Sequence, residues 1–289
     1  MSIPFTKMQG LGNDFVLVEE DRLPLDTNPS DLAKLLCHRN YGVGSDGLVL
    51  VGAPERQDCE IRFRFYNPDG SEAEMCGNGI RCFARYVQDQ GIIKRAEFAV
   101  ETQAGRLVPH VNEDHTVTVN MGAPVLEPAQ IPFADTAVST PVKDYMISLG
   151  PDKTVPVTLV SMGNPHCIVF DFNAPDNFDI AIDGPLLEKH PLFSNKTNVE
   201  WVRVIDRTHL DAVVWERGAG FTLACGTGAC ASAVAAVLHG VVESDVSVSL
   251  PGGQLQITYE SDTVWMTGPA EYVFTGTYDL EKGATRVSS

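Results

Sequence analysis

Two cysteines of this chain, Cys76 and Cys225, stand in the same short sequence: a cysteine and then two glycines around one small polar residue. A run that is typical of a helix follows each of them, so each cysteine lies at a predicted helix start. The first N–H groups of a helix have no intrahelical partner, and the helix dipole adds positive partial charge there. A thiolate is stabilised at such a position. We therefore expect the pKa of both thiols to lie below the free value of about 8.5.

The same helix starts could bind a carboxylate through their N–H groups, because Gly77 and Gly226 leave the backbone open to a ligand. Two thiols on opposite faces of one carbon would act as a pair of acid–base groups. One thiolate would remove the α-proton, and the other thiol would deliver its own. This is the chemistry of a two-base racemase or epimerase. We expect no cofactor, since no glycine-rich phosphate loop with a following lysine is seen in the sequence.

Other residues repeat at the spacing of the two cysteines, about 150 positions. Asn13 has a counterpart in Asn164, and both follow a glycine. Asn67 lies nine residues before the first cysteine, and Glu216 lies nine before the second. Three anchors at a nearly constant offset predict a duplication, with one copy in each half of the chain.

The remaining five cysteines are predicted to be small buried apolar side chains. Seven cysteines in a chain of this length fit neither a disulfide framework nor a structural zinc site, because the number is odd and the spacings lack the two-residue gap of zinc ligands. The five are Cys37, Cys59, Cys82, Cys167 and Cys230.

Composition and charge argue against several classes of partner. The chain has 289 residues, of which 44% are hydrophobic and 20% charged, as in an ordinary globular protein of one large or two medium domains. A net charge of −17 argues against nucleic acid and anionic membranes, since phosphate binding needs a basic surface. The sequence has neither an 18-residue apolar stretch nor a signal-like N-terminus. We expect a cytoplasmic protein with a small-molecule substrate.

Alternating apolar residues predict many strands and few helices. The period-two pattern is clear at Ile61–Phe65, for example. The other predicted strands are Phe15–Glu19, Leu48–Val51, Val117–Met121, Val155–Val160, Cys167–Phe170, Val199–Ile205, Ala212–Trp215, Val246–Leu250 and Leu255–Tyr259. Three helices are predicted. One begins at Ser30 as N-cap, one runs from Cys76 to near Gly91, and one runs from Cys225 to Gly240. The last is apolar on all sides and must be buried.

These patterns predict an α+β fold of two pseudo-symmetric lobes, each a mixed or antiparallel sheet wrapped around a central helix. The N-terminal lobe is expected at residues 1–121, with a C-terminal strand at about 270–289 returning to it. The C-terminal lobe is expected at residues 122–269, with the proline-bearing stretch 122–141 as the crossover.

Six segments that include both cysteines closely resemble the diaminopimelate epimerase family, in the order of that family. They are Met8–Phe15, Asn67–Ser71, Met75–Cys82, Gly163–His166, Trp215–Gly218 and Ala224–Ala229. The resemblance implies a cofactor-independent enzyme that interconverts LL- and meso-2,6-diaminoheptanedioate in lysine and peptidoglycan precursor synthesis. It also implies two lobes of similar fold, with the active site between them, and a homodimer.

The resemblance implies roles for individual residues. Cys76 and Cys225 become the two acid–base thiols, and His166 a supporting residue at the periphery of the site. Arg217, whose planar fork suits a carboxylate, is expected near the non-reacting end of the substrate. The substrate-binding residues carried over are Asn13, Asn67, Gly77, Asn78, Asn164, Asn198, Glu216, Arg217, Gly226 and Thr227.

The residues themselves leave alternatives open. The asparagines could be turn formers, Glu216 and Arg217 a surface charge pair, and His166 a structural side chain. Three positions depart from the family pattern, namely Gly47, Phe221 and Phe274. A proline or hydroxyproline racemase shares the two-thiol logic. A redox sensor with a switchable disulfide is the alternative from another class of protein.

Overall fold

The structure, a computed structural model, describes residues 2–135 and 137–288. The chain divides into two units. Unit 1 consists of Met1–Val119 and Gly268–Ser289, and unit 2 consists of Asn120–Thr267. Both are built from mixed sheets and few helices, so the predicted α+β class is confirmed.

Twenty strands and four α-helices lie in the described residues. The strands are β1 Ser2–Gly10, β2 Asn13–Glu19, β3 Gly47–Gly52, β4 Ile61–Tyr66, β5 Glu72–Ala73, β6 Val100–Thr102, β7 Gly105–Leu107, β8 His110–Val111, β9 Val117–Gly122, β10 Tyr145–Gly150, β11 Lys153–Ser161, β12 Pro165–Phe170, β13 Asn198–Asp206, β14 His209–Glu216, β15 Gly220–Phe221, β16 Asp245–Leu250, β17 Gly253–Glu260, β18 Thr263–Gly268, β19 Glu271–Asp279 and β20 Ala284–Ser288. The helices are α1 Pro29–Cys37, α2 Gly77–Asp89, α3 Ile180–Glu188 and α4 Gly226–Leu238.

The strands of unit 1 follow the order β20-β19-β1-β2-β3-β4-β6-β7, with β5 paired to β4. Strands β1 and β2 form an antiparallel hairpin, β2 runs parallel to β3, and β3 runs antiparallel to β4. Strand β4 then pairs in parallel with β6, which pairs antiparallel with β7. Helix α2 packs against β1, β2, β3 and β4.

Unit 2 repeats this pairing scheme strand for strand. Strands β11 and β12 form the hairpin, β12 runs parallel to β13, and β13 runs antiparallel to β14. Strand β14 pairs in parallel with β16, which pairs antiparallel with β17. Helices α1 and α3 both lie in the crossover between the two parallel strands, and α2 and α4 both follow the fourth strand of the scheme. The repeat in the sequence is therefore a repeat of topology.

Helix α4 is the central helix of unit 2 and is buried along most of its length, as its apolar sequence predicts. It packs against β11, β12, β13, β14, β16 and β17. Residues 228–236 of the helix are all buried. Small side chains such as Ala229, Ala233 and Ala236 let the surrounding strands approach the helix closely.

The structure corrects the sequence prediction at two helices. The N-cap of α1 is Asn28, whose Oδ1 accepts hydrogen bonds from the N–H groups of Ser30 and Asp31, so Ser30 is not the cap. Helix α3 was not predicted. It contains Gly184 and Pro185, which both disfavour a helix interior, and its N-cap is Asp179.

Candidate active site

Cys76 is the N-cap residue of α2, as its place before the glycines predicts. Its Sγ accepts a hydrogen bond from the N–H of Gly79 at 3.4 Å, and the side chain is half-buried. The backbone of Cys76 is extended, with φ −139° and ψ 114°, so the chain enters the helix directly behind the sulfur. The thiol therefore lies at the positive end of the helix dipole.

Asn13 and Asn78 lie together beside this helix start. Nδ2 of Asn78 donates to Oδ1 of Asn13 at 3.1 Å, and Nδ2 of Asn13 donates to Oδ2 of Asp46 at 2.9 Å. Asp46 is in turn paired with Arg39 at 2.5 Å, which also contacts Asp14 at 3.2 Å. The carboxylate of Asp46 thus fixes the amide of Asn13, and the amide of Asn13 orients Asn78.

Asn67 lies at the end of β4 and closes a turn. Its Nδ2 donates to Oγ of Ser71 at 3.0 Å, and its N–H and C=O bond within the same turn. The side chain of Asp69 also accepts from Ser71, at 2.6 Å from its Oγ. This geometry is that of a turn former, the alternative that the sequence left open, and it leaves a substrate-binding role for Asn67 as a prediction.

Cys225 is the N-cap residue of α4 and has the same geometry as Cys76. Its Sγ accepts from the N–H of Gly228 at 3.4 Å and lies 3.5 Å from Oγ1 of Thr227. Unlike Cys76, the residue is only 6% exposed.

The pKa of the Cys225 thiol is raised well above its ordinary value, so the expected lowering is wrong for this residue. Burial is the main cause, and the carboxylates of Glu216 and Glu200 add to it. The hydrogen bonds from Thr227 and from the Gly228 N–H act in the opposite direction and are weaker. The Cys225 thiol therefore keeps its proton at neutral pH.

Four further side chains of unit 2 connect to Cys225 through hydrogen bonds. Nδ2 of Asn164 donates to Oγ1 of Thr227 at 3.3 Å, and Oδ1 of Asn164 lies 3.0 Å from Nε2 of His166. Nδ1 of the same histidine lies 2.7 Å from Oε1 of Glu200. His166 and Glu200 are both fully buried. We call this set, from Glu200 through His166, Asn164 and Thr227 to Cys225, the Cys225 chain.

Asn198 and the end of β14 form a second polar group in unit 2. Oδ1 of Asn198 accepts from the backbone N–H of Arg217 at 2.9 Å, and its Nδ2 donates to the carbonyl of Pro165 at 3.0 Å. Oε1 of Glu216 accepts from Oγ1 of Thr222 at 2.6 Å. The guanidinium of Arg217 is exposed and donates to the carbonyl of Asn195 at 3.0 Å. Asn198 thus fixes the backbone from which Glu216 and Arg217 project.

Glu188 holds the turn that follows these two residues. Its Oε2 accepts from Nε1 of Trp215 at 2.9 Å, and its Oε1 accepts from the N–H of Gly218 at 3.1 Å. Burial would raise the pKa of Glu188, but the hydrogen bonds from Trp215 and Gly218 and the charge of Lys196 outweigh it and lower the pKa. Glu188 therefore stays ionised and stabilises the turn that carries Arg217.

Sequence reasoning missed Asp46, Glu188 and Glu200, each of which supports a predicted residue. Glu200 stands in β13 between two apolar residues, a pattern that predicts a solvent-facing side chain on a half-buried strand. It is buried because its carboxyl group forms a hydrogen bond with His166 on the neighbouring strand β12. In the register of the two strands His166 is opposite Asn198 and Glu200 is opposite Ile168, so no matched pair of polar positions signals the contact in the sequence.

The three departures from the family pattern have local explanations. A Cβ on Gly47 would lie 2.2 Å from the ring of Phe65, so this ring fills the space of a side chain there. Phe221 is half exposed and packs edge-on against Trp215, with ring centroids 5.1 Å apart. Phe274 packs against Phe5 at 6.0 Å.

The five remaining cysteines are all buried, as predicted. Burial raises the pKa of the Cys37 thiol to about 11 and that of Cys82 to about 12. Within residues 2–135 and 137–288, no group of three His, Cys, Asp or Glu side chains is arranged to hold a metal ion. In the same residues, no helix is both long and apolar enough to span a membrane.

The sequence has relatives over nearly its whole length. It matches the family described as diaminopimelate epimerase over residues 5–127 and 158–273. A protein named diaminopimelate epimerase from Synechococcus sp. (strain JA-2-3B'a(2-13)) is 48% identical over 280 residues, which cover 95% of this chain and 98% of that protein. Another of that name, from Moorella thermoacetica, is 48% identical over 283 residues, with 96% and 99% covered.

Solved structures share the fold at much lower identity. A phenazine biosynthesis protein of the PhzF family from Bacillus anthracis aligns with a TM-score of 0.63 at 17% identity, over 97% of this chain and 100% of the other. A hydroxyproline epimerase from Agrobacterium vitis aligns with a TM-score of 0.61 at 14% identity, over 98% and 94% of the two chains. At such identities the likeness shows the fold alone.

Proposed function

The chain belongs to the diaminopimelate epimerase family, and we propose that it interconverts LL- and meso-2,6-diaminoheptanedioate with Cys76 and Cys225 as acid and base. The observation that carries this proposal is the matched pair of N-capping cysteines. Each sulfur lies at the N-terminus of a glycine-rich helix, in the same place of a repeated topology. A two-base inversion uses one proton-transfer group on each face of the carbon, and the repeat offers two similar candidates.

In the proposed reaction one cysteine thiolate takes the α-proton of the substrate and becomes a thiol. The electron pair of the broken C–H bond passes into the neighbouring carboxylate, which acquires enediolate character. The other cysteine gives its S–H proton to the opposite face of the same carbon and becomes a thiolate. Atoms and charge balance within the two thiols and the substrate, so the step requires no redox partner or cofactor.

The state of Cys225 suggests how the two roles are divided at the start. Its raised pKa keeps it protonated, so it enters the reaction as the proton donor. Cys76 is half-buried and lies at the positive end of α2, where a thiolate is stabilised, so we assign it as the base of that direction. The reverse direction exchanges the roles.

Substrate recognition is proposed to combine helix starts with polar side chains. The N–H groups near Gly77 with Asn78, and near Gly226 with Thr227, would hold the carboxylate at the reacting carbon. Arg217 would pair with the carboxylate at the other end of the substrate. The other proposed substrate contacts are Asn13, Asn67, Asn164, Asn198 and Glu216, with His166 in support. The proposal also takes the enzyme to act in the cytoplasm as a homodimer in lysine biosynthesis, as the family resemblance implies.

Deuterium incorporation tests the reaction directly. The purified chain is incubated with LL-diaminopimelate in D₂O, and the α-protons are followed by NMR. We expect meso product that carries deuterium at the inverted carbon, while the remaining substrate stays undeuterated at early times, because each face is served by its own thiol. Cys76→Ala and Cys225→Ala should each lower kcat by at least about 100-fold, the usual contribution of a general acid or base.

Buried cysteines of the same two helices provide matched controls. Cys82→Ala in α2 and Cys230→Ala in α4 should keep kcat within about threefold, since neither caps its helix. Deuterium uptake by proline or hydroxyproline with none by diaminopimelate would overturn the substrate. Unchanged turnover in both active-site variants would overturn the mechanism.

A further inference from the structure

The Cys225 chain joins a fully buried ion-pairing couple to a proposed acid–base sulfur. Glu200 contacts His166 at 2.7 Å, His166 contacts Asn164 at 3.0 Å, Asn164 contacts Thr227 at 3.3 Å, and Thr227 contacts the sulfur at 3.5 Å. The carboxylate also lies close to the helix start, since a Cβ on Gly228 would be 2.9 Å from Oε1 of Glu200.

Unit 1 has apolar residues where unit 2 has this couple. In the parallel pair β2 and β3, Phe15 is opposite Gly47, and in the equivalent pair β12 and β13, His166 is opposite Asn198. Phe15 is therefore the counterpart of His166. Val49, two residues after Gly47, is the counterpart of Glu200. Phe15 and Val49 are fully buried, so the fold accepts an apolar couple at these two positions.

A buried polar couple is costly where an apolar couple would serve. Burial of a carboxyl group needs compensation by partners, and Oε2 of Glu200 has no hydrogen-bond partner among the residues that the structure describes. Replacing a buried ionic pair by well-packed apolar residues is often neutral or stabilising. Stability alone therefore does not explain why the couple occurs in the unit of Cys225.

The contacts of His166 define where its protons lie. Nε2 faces the carbonyl oxygen of the Asn164 amide, so Nε2 carries a hydrogen. The 2.7 Å contact between Nδ1 and Oε1 of Glu200 needs one further proton, which one of the two groups carries. Burial, partly opposed by His166, raises the pKa of Glu200, in agreement with a retained proton. Asn164 then donates to Thr227, and the hydroxyl hydrogen of Thr227 is left to donate to the sulfur.

We propose that Glu200 is a positioning residue for Cys225, because it holds His166 in the tautomer that directs every hydrogen bond of the Cys225 chain toward the sulfur. A chain that donates to the sulfur stabilises the thiolate that remains after Cys225 delivers its proton. This catalytic meaning rests on the proposed function. The effect on the thiol itself does not, since the chain of contacts exists without substrate. Asn164 retains a second N–H for a substrate group.

Two effects of Glu200 on Cys225, its charge and its hydrogen bonds through His166, change the pKa of the thiol in opposite directions. Besides burial, the charges of Glu216 on β14 and Glu200 on β13 raise the pKa of Cys225, while the hydrogen bonds of Thr227 and of the Gly228 N–H in its own helix lower it. The Glu200 carboxyl contacts His166, and the charge of Glu216 adds to the burial-driven rise of its pKa. If Glu200 acted only as a nearby negative charge, its removal would lower the pKa of the Cys225 thiol. If it acts through the chain, its removal raises that pKa.

Alkylation of Cys225 measures this effect without any substrate. The pH midpoint of its reaction with iodoacetamide is followed at the peptide level by mass spectrometry in the full-length protein. The central variant is His166→Phe with Glu200→Val, which copies Phe15 and Val49 of unit 1. We expect the midpoint to rise by at least about half a pH unit, as the loss of one hydrogen bond to a thiolate implies.

Two further variants test whether the effect travels through the chain. Thr227→Val breaks the last link, while Thr227→Ser keeps the hydroxyl and should leave the midpoint within about 0.3 unit. In the Thr227→Val background, His166→Phe with Glu200→Val should not shift the midpoint further, because the hydrogen bond from Thr227 to the sulfur is already absent. Two results would overturn the proposal. One is an unchanged or lowered midpoint in the His166→Phe, Glu200→Val variant. The other is an equal rise of the midpoint when these two substitutions are made in a protein that already carries Thr227→Val.

Glu200→Gln keeps the proposal testable if the His166→Phe, Glu200→Val variant does not fold. The glutamine amide can donate to Nδ1 and preserve the hydrogen on Nε2, so we expect a midpoint close to that of the unmodified protein. A fall of about one unit would instead identify Glu200 as a charge and contradict the proposal. If the alkylation midpoints shift as expected but the unmodified protein does not epimerise LL-diaminopimelate, the proposed function is wrong and the positioning role of Glu200 stands.

Discussion

At the scale of single residues, two opposing effects act on Cys225, and their magnitudes decide its protonation. A helix N-terminus stabilises a negative charge by about 0.3–1 kcal/mol, which corresponds to less than one pKa unit. Burial of an ionisable group shifts its pKa by up to about 3–5 units. Burial therefore dominates, with the two nearby carboxylates adding to it, and the pKa of the Cys225 thiol is raised. The helix start lowers the cost of the thiolate without making it the resting form.

This balance predicts the alkaline behaviour of Cys225 in the unmodified protein. Its alkylation midpoint should lie above the value of about 8.5 that the same cysteine shows in the urea-unfolded chain. A raised folded-state pKa contributes stability below the unfolded-state value and loses it as pH rises toward the folded-state pKa. The free energy of unfolding should therefore decline above about pH 8.5, with Cys37, Cys82 and Cys167 contributing in the same direction.

Cys225→Ala provides the check for that stability effect. Urea unfolding at a series of pH values should show a smaller alkaline decline in this variant than in the unmodified protein, because one of the raised pKa values is absent. A native midpoint at or below about 8.5 would mean that the helix start outweighs burial.

The residues that the sequence could reveal are those with local signals. Cys76 and Cys225 are marked by the glycines that follow them, and their positions as helix caps are confirmed. The position of Glu200 depends on a partner 34 residues away, so no local pattern reports it. The raised pKa of Cys225 could not be predicted from the neighbouring residues in the sequence either, since it arises from burial by strands that are distant in sequence.

At the scale of elements, the starts of α2 and α4 share backbone geometry but differ in what surrounds them. Gly79 and Gly228 hold the same third position after the capping cysteine. A Cβ on Gly79 would lie 3.3 Å from Cβ of Cys76 and 3.4 Å from the ring of Phe63. A Cβ on Gly228 would lie 2.9 Å from the carboxylate of Glu200 and 3.2 Å from the Cys225 sulfur.

Alanine at these two glycines should therefore have unequal effects. Alanine stabilises a helix interior by about 1 kcal/mol relative to glycine, which offsets the tight contacts at Gly79 and leaves Gly79→Ala within about 1 kcal/mol of the original stability. Gly228→Ala must displace a buried carboxyl group and should cost about 2 kcal/mol more than Gly79→Ala. Urea unfolding of the two variants gives the comparison. Equal destabilisation would show that Glu200 can move freely.

Elements with clear periodicity were predicted, and those with mixed signals were not. The ten predicted strands and the helices after Cys76 and Cys225 are all present. Strand β1 was missed because Pro4 argues against a strand with two neighbours. The hairpin with β2 begins only at Thr6, so Pro4 lies outside that ladder and its missing N–H is tolerated. Helix α3 was not predicted because Gly184 and Pro185 have low helix propensity and interrupt the helical pattern of the sequence.

At the scale of the whole molecule, the repeat explains how one chain supplies two similar cysteine sites. The same sequence of pairings leads to the same helix start in each unit, so the offset of about 150 residues between motifs reflects a duplicated topology. The polar residues added to each copy differ. Asp46 supports the amides beside Cys76, while Glu200 and His166 support Cys225. The two helix starts therefore share their backbone geometry and differ in the polar side chains around them.

The C-terminal segment completes unit 1, which predicts an unequal effect of two truncations. Strand β19 pairs with β1 from Ser2 to Gln9, and the fully buried Tyr278 packs in a core with Ile3 and Phe5. The carbonyls of Pro269 and Ala270 accept hydrogen bonds from Arg81 and Arg85 of α2. A chain that ends at Thr267 lacks all of these contacts, whereas a chain that ends at Asp279 keeps them.

We expect the shorter chain to lose the amide protection of β1 in hydrogen exchange followed by mass spectrometry, because its hydrogen bonds to β19 are gone and an apolar edge is exposed. Burial of one large apolar side chain contributes about 1.5–3 kcal/mol, so loss of β19 should remove several kcal/mol from unit 1. The chain that ends at Asp279 should retain protection at β1. Undiminished protection of β1 in the shorter chain would show that unit 1 does not depend on the returning strand, and the start of α2, with Cys76 as its cap, would then be held by the N-terminal segment alone.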